Sequence, residues 1–166
     1  MTDCSPIQLE FSSCQGRKVQ ADFRGGNVSS DGGALLLREV DRRLNLLSRA
    51  ARLFKDDRDQ NKVVHTQDSQ LKQRVFALAQ GHEDLNDHDH LRHDILLQTA
   101  AQKTSPLASA PTLCRMEQRA DRHSAMRLTH LLIDLFIAFT VFLADKFAAF
   151  IERSQKIVSD LLGRRV

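Results

Sequence analysis

Near the amino terminus, apolar and polar residues alternate in two short stretches separated by turn-forming residues. The first stretch runs from Ile7 to Phe11 and the second from Val19 to Phe23, with two serines and a glycine among residues 12–16. A period of two residues is typical of a strand with one buried face, so the pattern predicts a β-hairpin. We assign this hairpin and the turn after it to residues 1–30.

From Ala34 to Phe54 the pattern changes to the helical period. Apolar residues recur there at near-helical spacing, which predicts one apolar stripe that faces a core. The stripe consists of Leu36, Val40, Leu44, Leu47 and Phe54. Serine and aspartate side chains at 29–31 are suited to cap the start of this helix.

Further helices are predicted in the middle of the chain. One of them should end at Gly81, because glycine readily adopts the left-handed conformation found at helix ends. Asn86 is suited to cap the next helix, which extends to about Gln102. Residues 104–111 are rich in serine, alanine and proline and predict a linker, and Pro111 suits the first turn of a short helix.

The last helix is predicted from Ser124 to Ile151 and is apolar on most sides. It contains five of the nine phenylalanines, so we expect neighbours against most of its surface. Its apolar run is about fourteen residues long and is interrupted by Asp134, whereas a bilayer span needs about twenty apolar residues. The pattern therefore predicts a buried helix and no membrane partner.

Together these patterns predict a mainly α fold, in which a short N-terminal β-hairpin is followed by about five helices, the last long and apolar. We divide the chain into the hairpin at 1–30, a helical region at 31–120, the long helix at 121–155 and a tail at 156–166. With 166 residues and 42% hydrophobic content, the chain is long enough for one domain with a core.

Charge and cysteine content restrict the function only weakly. The net charge is +3, so a nucleic-acid surface would depend on local clusters of arginine and lysine. Cys4, Cys14 and Cys114 are odd in number and widely spaced, which favours free thiols over a disulfide framework. The first residues lack the pattern of an export signal, and we expect a cytoplasmic protein.

The stretch from Gly81 to Asp94 combines four histidines with five carboxylates and suggests a metal site. The histidines are His82, His88, His90 and His93. Ligands on one helix must share a face at three- or four-residue spacing, and this spacing selects separate pairs such as Asp89 with His93. Carboxylates at the start of a helix also stabilise its dipole without any metal. We predict no bound metal, and a small metal-dependent hydrolase is the weaker alternative.

Three blocks of the sequence have a more specific character. The first contains Ala21-Asp22-Phe23-Arg24-Gly25-Gly26 and Ser29-Ser30-Asp31-Gly32-Gly33, the second Gly81-His82-Glu83-Asp84-Leu85-Asn86-Asp87-His88-Asp89, and the third Pro111-Thr112-Leu113-Cys114-Arg115. These blocks resemble the amino-terminal region of DDE transposases from bacterial insertion sequences, in the group numbered thirteen-eighty. They occur in the order in which that family has them.

The resemblance has implications for catalysis. Such transposases cut and transfer DNA with carboxylates from separate strands of an RNase H-like core, which hold two magnesium ions. By the resemblance, Ile157-Val158-Ser159-Asp160 would begin the first core strand, and Leu162 stands at the position expected for the first carboxylate. The resemblance therefore implies that the RNase H-like core is missing, that the tail at 156–166 is a remnant of its first strand, and that this chain holds neither catalytic residues nor a cofactor.

The region at 31–120 resembles the helical, DNA-binding type of region that precedes the core. Basic residues that are candidates for phosphate contact occur in and just after it, although a solvated basic face is the simpler explanation of such residues. The candidates are Arg38, Arg42, Arg43, Arg49, Arg52, Lys72, Arg74, Arg115, Arg119 and Arg122.

These observations favour a truncated transposase that does not cleave DNA alone. Its expected partners are double-stranded DNA at transposon ends, a second copy of the chain, or intact transposase. The principal alternative is a non-enzymatic protein that binds DNA, or that binds intact transposase and inhibits it.

Overall fold

A computed structural model describes residues 8–22 and 32–163 of the protein. The chain forms two compact units, the first ending at Ser124 and the second beginning at Ala125. Among the described residues, a two-stranded antiparallel sheet precedes seven α-helices, which confirms the mainly α fold with an N-terminal hairpin. The capping residues predicted at 29–31 lie outside the described part of the chain.

The hairpin consists of β1 (Gln8–Cys14) and β2 (Arg17–Asp22). A two-residue turn joins the strands, and both of its residues have positive φ, +47° at Gln15 and +81° at Gly16. Turns of this kind match the twist of paired strands, and glycine adopts the required conformation without steric cost. Because the turn is so short, β1 extends to Cys14 instead of ending at Phe11 as predicted.

The first three helices are α1 (Gly33–Leu44), α2 (Leu46–Ala51) and α3 (Gln67–Ala79). Thr66 precedes α3, and its side chain accepts a hydrogen bond from the backbone N–H of Ser69 at 3.2 Å. This bond satisfies one of the free N–H groups at the start of the helix.

The next helices are short. A 3₁₀ turn at Leu85–Asp87 leads into α4 (His88–Leu91), and α5 (Ile95–Ala100) and α6 (Ala110–Gln118) follow. The single helix predicted to begin near Asn86 is therefore divided into separate elements.

The core of the first unit lies between α1, α2, α3 and α5, closed by the segment after α5. Its buried side chains are Ala34, Leu47, Phe76, Ala77, Leu97, Ala100, Ala101 and Leu107. Small alanines occupy many of these positions and allow the helices to approach closely around Phe76, which is 2% exposed.

The face of α1 that is buried differs from the predicted one. Leu36, Val40 and Leu44 are 57%, 53% and 46% exposed, whereas Ala34, Leu35, Arg38 and Asp41 are buried. Arg38 and Asp41 form hydrogen bonds with backbone groups. These bonds offset part of the free-energy cost of burying the two charged side chains. The predicted apolar stripe is therefore wrong for its first three members.

The predicted linker at 104–111 is also wrong, because its middle is part of the core. Leu107 and Ala108 are each 1% exposed. The N–H of Leu107 donates to the carbonyl of Arg92 at 2.9 Å, and Ala108 is paired with a buried glutamine of α3. Buried backbone groups need such partners, and here α3 and the end of α4 supply them.

The long helix is confirmed as α7 (Arg122–Gly163), and from Ala125 onward it forms the second unit. It continues through Ile157, where a strand was expected. A helix satisfies its backbone groups internally, whereas a strand needs a partner, and the two strands of the described residues pair with each other. The phenylalanines at 136, 139, 142, 147 and 150 are each more than half exposed, contrary to the predicted burial. Among the described helices, none contains an apolar run of the length that a membrane span requires.

Candidate nucleic-acid interface

The junction between α1 and α2 positions four of the candidate arginines. Asn45 joins the two helices with a φ of +51°, and its N–H donates to the carbonyl of Asp41 at 2.6 Å. The Asp41 carboxylate accepts a hydrogen bond from the N–H of Leu47 at 2.7 Å, which caps the start of α2. One buried aspartate therefore fixes the turn between the two helices. The arginines near this turn are Arg42, Arg43, Arg49 and Arg52.

These four arginines differ in how much of their charge reaches solvent. Arg43 and Arg52 are exposed, and neither forms an ion pair within the described residues. Arg42 is 42% exposed and lies 3.3 Å from the Glu39 carboxylate. Arg49 is half-buried. Arg43 and Arg52 are therefore the freest cations of the junction.

Arg38 is placed differently, inside the first unit. Its side chain is 2% exposed, and its two terminal nitrogens donate to the carbonyl of Ser12 at 2.7 Å and to that of Ser13 at 3.0 Å. This arginine attaches the hairpin to α1, and in this arrangement its charge does not reach the surface.

Lys72 and Arg74 of α3 also have partners within the fold. The ammonium of Lys72, in a side chain 6% exposed, donates to Asp68 at 2.9 Å and to Ser48 at 3.1 Å, which links α3 to α2. The guanidinium of Arg74 lies 2.7 Å from Glu117 of α6 and also donates to a backbone carbonyl of the loop after α3. Both cations join secondary-structure elements.

The remaining candidates lie at the end of the first unit. Arg115 is exposed and donates to the hydroxyl of Thr112 at 3.3 Å, and Arg122 is exposed at the start of α7. Arg119 is half-buried, and two of its guanidinium nitrogens are buried without a hydrogen-bond partner in the described residues.

The acidic stretch around His88 stabilises helix ends. Gly81 has a φ of +91° just after α3, as predicted for a helix terminator. Asp84 caps the 3₁₀ turn by accepting from Asn86 at 2.9 Å, and Asp94 caps α5 by accepting from Leu97 at 2.6 Å. The predicted cap at Asn86 is therefore wrong: Asn86 is the donor to an aspartate that precedes it.

Two further residues of this stretch have specific partners. The Asp89 carboxylate accepts from the N–H of Ala110 at 3.1 Å, at the start of α6. His88 is fully buried, and its Nδ1 lies 3.1 Å from the amide nitrogen of Gln73. Among the described residues, no three histidine, cysteine, aspartate or glutamate side chains are arranged to hold a metal ion.

The orientation of the Gln73 amide determines which ring nitrogen of neutral His88 carries the proton. Its oxygen accepts from the N–H of Ala108 at 3.0 Å, and its nitrogen donates to the carbonyl of the same residue at 2.9 Å. The amide nitrogen therefore faces His88 as a donor, so Nδ1 is the acceptor and Nε2 carries the proton. Burial lowers the pKa of His88 below its ordinary value, and the charge of Arg74 lowers it further.

Comparison with known families decides the relationship of the chain. The family model described as transposase DDE domain group 1 matches residues 11–162. The chain belongs to this family. The resemblance to DDE transposases is thereby confirmed, and the matched range includes most of the hairpin, all the candidate cations and most of α7. No curated protein and no solved structure matches the chain.

The magnesium ions implied for an intact DDE transposase can be tested against these residues. Leu162 has a hydrocarbon side chain and offers no ligand atom. Asp84, Asp89 and Asp94 accept hydrogen bonds from three different backbone segments. The described residues therefore do not fit a two-magnesium site.

Sequence reasoning missed one feature of this DDE-family chain, the buried amide of Gln70. Periodicity placed α3 correctly, but glutamine is a common surface residue of helices, and nothing in the sequence distinguishes a buried glutamine from an exposed one. Gln70 and Gln73 are each 1% exposed.

Proposed function

We propose that this member of the transposase DDE family binds double-stranded DNA at the ends of an insertion sequence through the α1–α2 junction. The observation that carries the proposal is the pair Arg43 and Arg52, both exposed and without an ion pair in the described residues. A free guanidinium can pair with phosphate without first breaking an internal contact. Arg42, Arg115 and Arg122 are exposed as well and would extend the phosphate-binding surface.

The physical basis of such binding is the release of counterions from DNA. Each phosphate that a cation neutralises releases condensed counterions, so affinity falls steeply as salt concentration rises. Contacts of this kind position a protein on duplex DNA without reading its sequence.

The experiment measures binding of a fluorescent transposon-end duplex over a range of salt concentrations. The double variant Arg43→Gln/Arg52→Gln should bind about tenfold or more weakly at low salt, with a smaller salt dependence. The matched control is Lys18→Gln/Lys55→Gln, which removes the same number of charges. These lysines already lie 3.1 Å from Glu10 and 3.0 Å from Asp57. Equal losses in both variants, or no binding of wild type at low salt, would refute the proposal.

We further propose that the chain binds DNA in the cytoplasm without cutting it. The support is Leu162, a hydrocarbon at the position where the family resemblance expects a carboxylate. Transposon-end DNA incubated with the chain and magnesium or manganese should stay intact. Nicking that persists through purification and disappears in chelator would contradict this part of the proposal.

A second candidate function is contact with another transposase subunit, and the exposed phenylalanines of α7 favour it. Contiguous apolar residues on a protein surface often mark a site of contact with a partner. Phe139 and Phe142 are 56% and 54% exposed. The variant Phe139→Ser/Phe142→Ser should lose co-purification with intact transposase, or self-association in sedimentation, if α7 is the contact surface. Unchanged association would exclude these residues from the contact.

A further inference from the structure

Two buried glutamines of α3, Gln70 and Gln73, differ in their hydrogen bonding. Both side chains are 1% exposed. The Gln73 amide is paired on both atoms, to the backbone of Ala108 and to His88. Neither the amide nitrogen nor the amide oxygen of Gln70 has a hydrogen-bond partner within the described residues.

An unpaired buried amide requires an explanation. Nearly all buried side-chain amides in proteins are hydrogen-bonded. Burial removes an amide from water, and the lost hydrogen bonds to water cost free energy unless partners in the protein replace them. Explanations for the few exceptions include strain, a catalytic role, or contact with a water or an ion. Gln70 is therefore a candidate for contact with a molecule that supplies both a donor and an acceptor.

Gln70 lines a cavity of about 570 Å³ in the first unit. Small-molecule sites in proteins commonly have volumes of roughly 300–1,000 Å³. The other lining residues come from the loop before α3 and from α6, and they are Arg58, Asp59, Lys62, Val63, Val64, His65 and Thr112. The wall thus combines apolar valines with two cations, one carboxylate and the amide.

Two cations line the cavity, and each lies near a carboxylate. Arg58 is held in place by two bonds to Asp56, at 2.6 and 2.7 Å, and by a third to the carbonyl of His65 at 2.9 Å. Lys62 is 85% exposed and lies 3.7 Å from Asp59, so its ammonium can turn toward a ligand. Burial lowers the pKa of His65, and three nearby cations lower it further: Lys103, Arg92 and Arg58.

We propose that this cavity binds a single unpaired deoxynucleotide, with the Gln70 amide on the base and Lys62 near the phosphate. A glutamine amide matches the adjacent N6 donor and N7 acceptor of adenine. The valines would cover the base. Because Gln70 is recessed, a base that remains paired and stacked in a duplex does not reach it. The inference rests on the proposed DNA-binding function, since it makes this nucleotide part of the bound DNA.

The first experiment titrates the full chain calorimetrically with dAMP, deoxyadenosine and inorganic phosphate. Wild type should bind dAMP more tightly than either part alone. Gln70→Met, which keeps the side-chain length and removes the amide, should weaken dAMP about tenfold and leave phosphate binding unchanged. The same variant should raise the Tm of the free protein, because it removes an unpaired buried amide.

Gln73→Met is the matched control on the same helix. It removes an amide that is fully paired, so its Tm should fall. Lys62→Glu provides a second test that does not depend on the core, because Lys62 is exposed. This variant should weaken the binding of both dAMP and phosphate.

The second experiment compares a perfect duplex with one that carries a single bulged adenine. Wild type should prefer the bulged duplex about tenfold, and Gln70→Met should lose this preference while it binds the perfect duplex normally. Equal dAMP affinities of wild type and Gln70→Met, or phosphate binding as tight as that of dAMP, would overturn the inference. A third outcome is that the chain binds dAMP through Gln70 but does not bind duplex DNA. That result would refute the proposed function and assign the cavity to a free nucleotide.

Discussion

The guanidinium of Arg38 donates to the backbone carbonyl of Ser12 at 2.7 Å from a side chain that is 2% exposed. The neighbouring Glu39 accepts from the same serine, from its N–H at 3.1 Å and its hydroxyl at 2.8 Å. Two adjacent residues of α1 thus bind Ser12 of β1, Arg38 as a hydrogen-bond donor and Glu39 as an acceptor.

Replacement of Arg38 should therefore destabilise the protein. Arg38→Met keeps the aliphatic part of the side chain but leaves two carbonyls without their donor, at an expected cost of about 2–3 kcal/mol. Urea unfolding followed by circular dichroism measures this free energy. The control Arg43→Met, at an exposed position of the same helix, should change it by less than about 0.5 kcal/mol. Similar costs for the two variants would contradict the assigned role of Arg38.

The difference between the buried face of α1 and the face predicted from sequence leads to a second prediction. Leu35 is 4% exposed and Leu36 is 57% exposed. Leu35→Ala should lower the free energy of unfolding by about 2–4 kcal/mol, as is usual for buried leucines. Leu36→Ala should cost less than about 1 kcal/mol in the same urea experiment. The opposite order would restore the apolar stripe predicted from sequence.

The difference at α1 shows where sequence reasoning is limited. Hydrophobic periodicity predicted the hairpin, the helix before Gly81 and the long helix α7, because each has a clear local pattern. It misassigned α1 because periodicity treats every arginine and aspartate as exposed. Arg38 and Asp41 are buried through partners elsewhere in the chain, and such pairing is not visible in a local pattern.

The candidate site was predicted only in part for the same reason. Composition selected ten basic residues, but Arg38, Lys72 and Arg74 have partners in the fold that only the tertiary structure reveals. The family was recognisable because its blocks keep their order along the chain. The unpaired amide of Gln70 had no sequence signal, since its environment comes from residues 58–65 and from α6.

Buried His88 predicts a loss of stability at mildly acidic pH. Its pKa is lowered in the folded protein and takes the ordinary value near 6.5 in the unfolded chain, so protons favour unfolding. Above about pH 6.5, His88 is neutral in both states and does not lower the free energy of unfolding. Below that pH the unfolded chain takes up the proton more readily, and the free energy of unfolding falls by at most about 1.4 kcal/mol per pH unit. Unfolding free energies between pH 7.5 and 5.5 measure the effect.

The variant His88→Gln should show a weaker pH dependence over this range. Other charged or titratable groups act on His88 and stay in place in this variant: Arg74, Asp87, His82 and Glu117. His65→Gln is the comparison, because His65 also has a lowered pKa, and it should remove a separate part of the dependence. A pH profile that is unchanged in His88→Gln would rule out this histidine as its source.

Asp56 makes the corresponding prediction for strong acid. Its hydrogen bonds with Arg58 hold its pKa at about 2, below the ordinary 3.8. The stability it contributes is therefore complete above about pH 4 and is lost as the pH falls through 2. Asp56→Asn should cost about 1 kcal/mol at pH 7, allowing for solvent screening, and the difference from wild type should shrink between pH 4 and 2. Asp57→Asn, at an exposed position, should have little effect on the unfolding free energy at either pH.

The pairing of Gln73 with Ala108 has a practical consequence for work on this protein. Residues 104–111 have the composition of a flexible connector and would be an obvious place to insert a tag, a reporter or a protease site. Because both backbone groups of Ala108 are held by α3, an insertion there would separate partners that lie 35 positions apart in the chain. The exposed Gln15–Gly16 turn carries a related constraint, because the Gln15 side chain donates to the carbonyl of Gln102 at 2.9 Å and accepts from the hydroxyl of Thr104 at 2.9 Å.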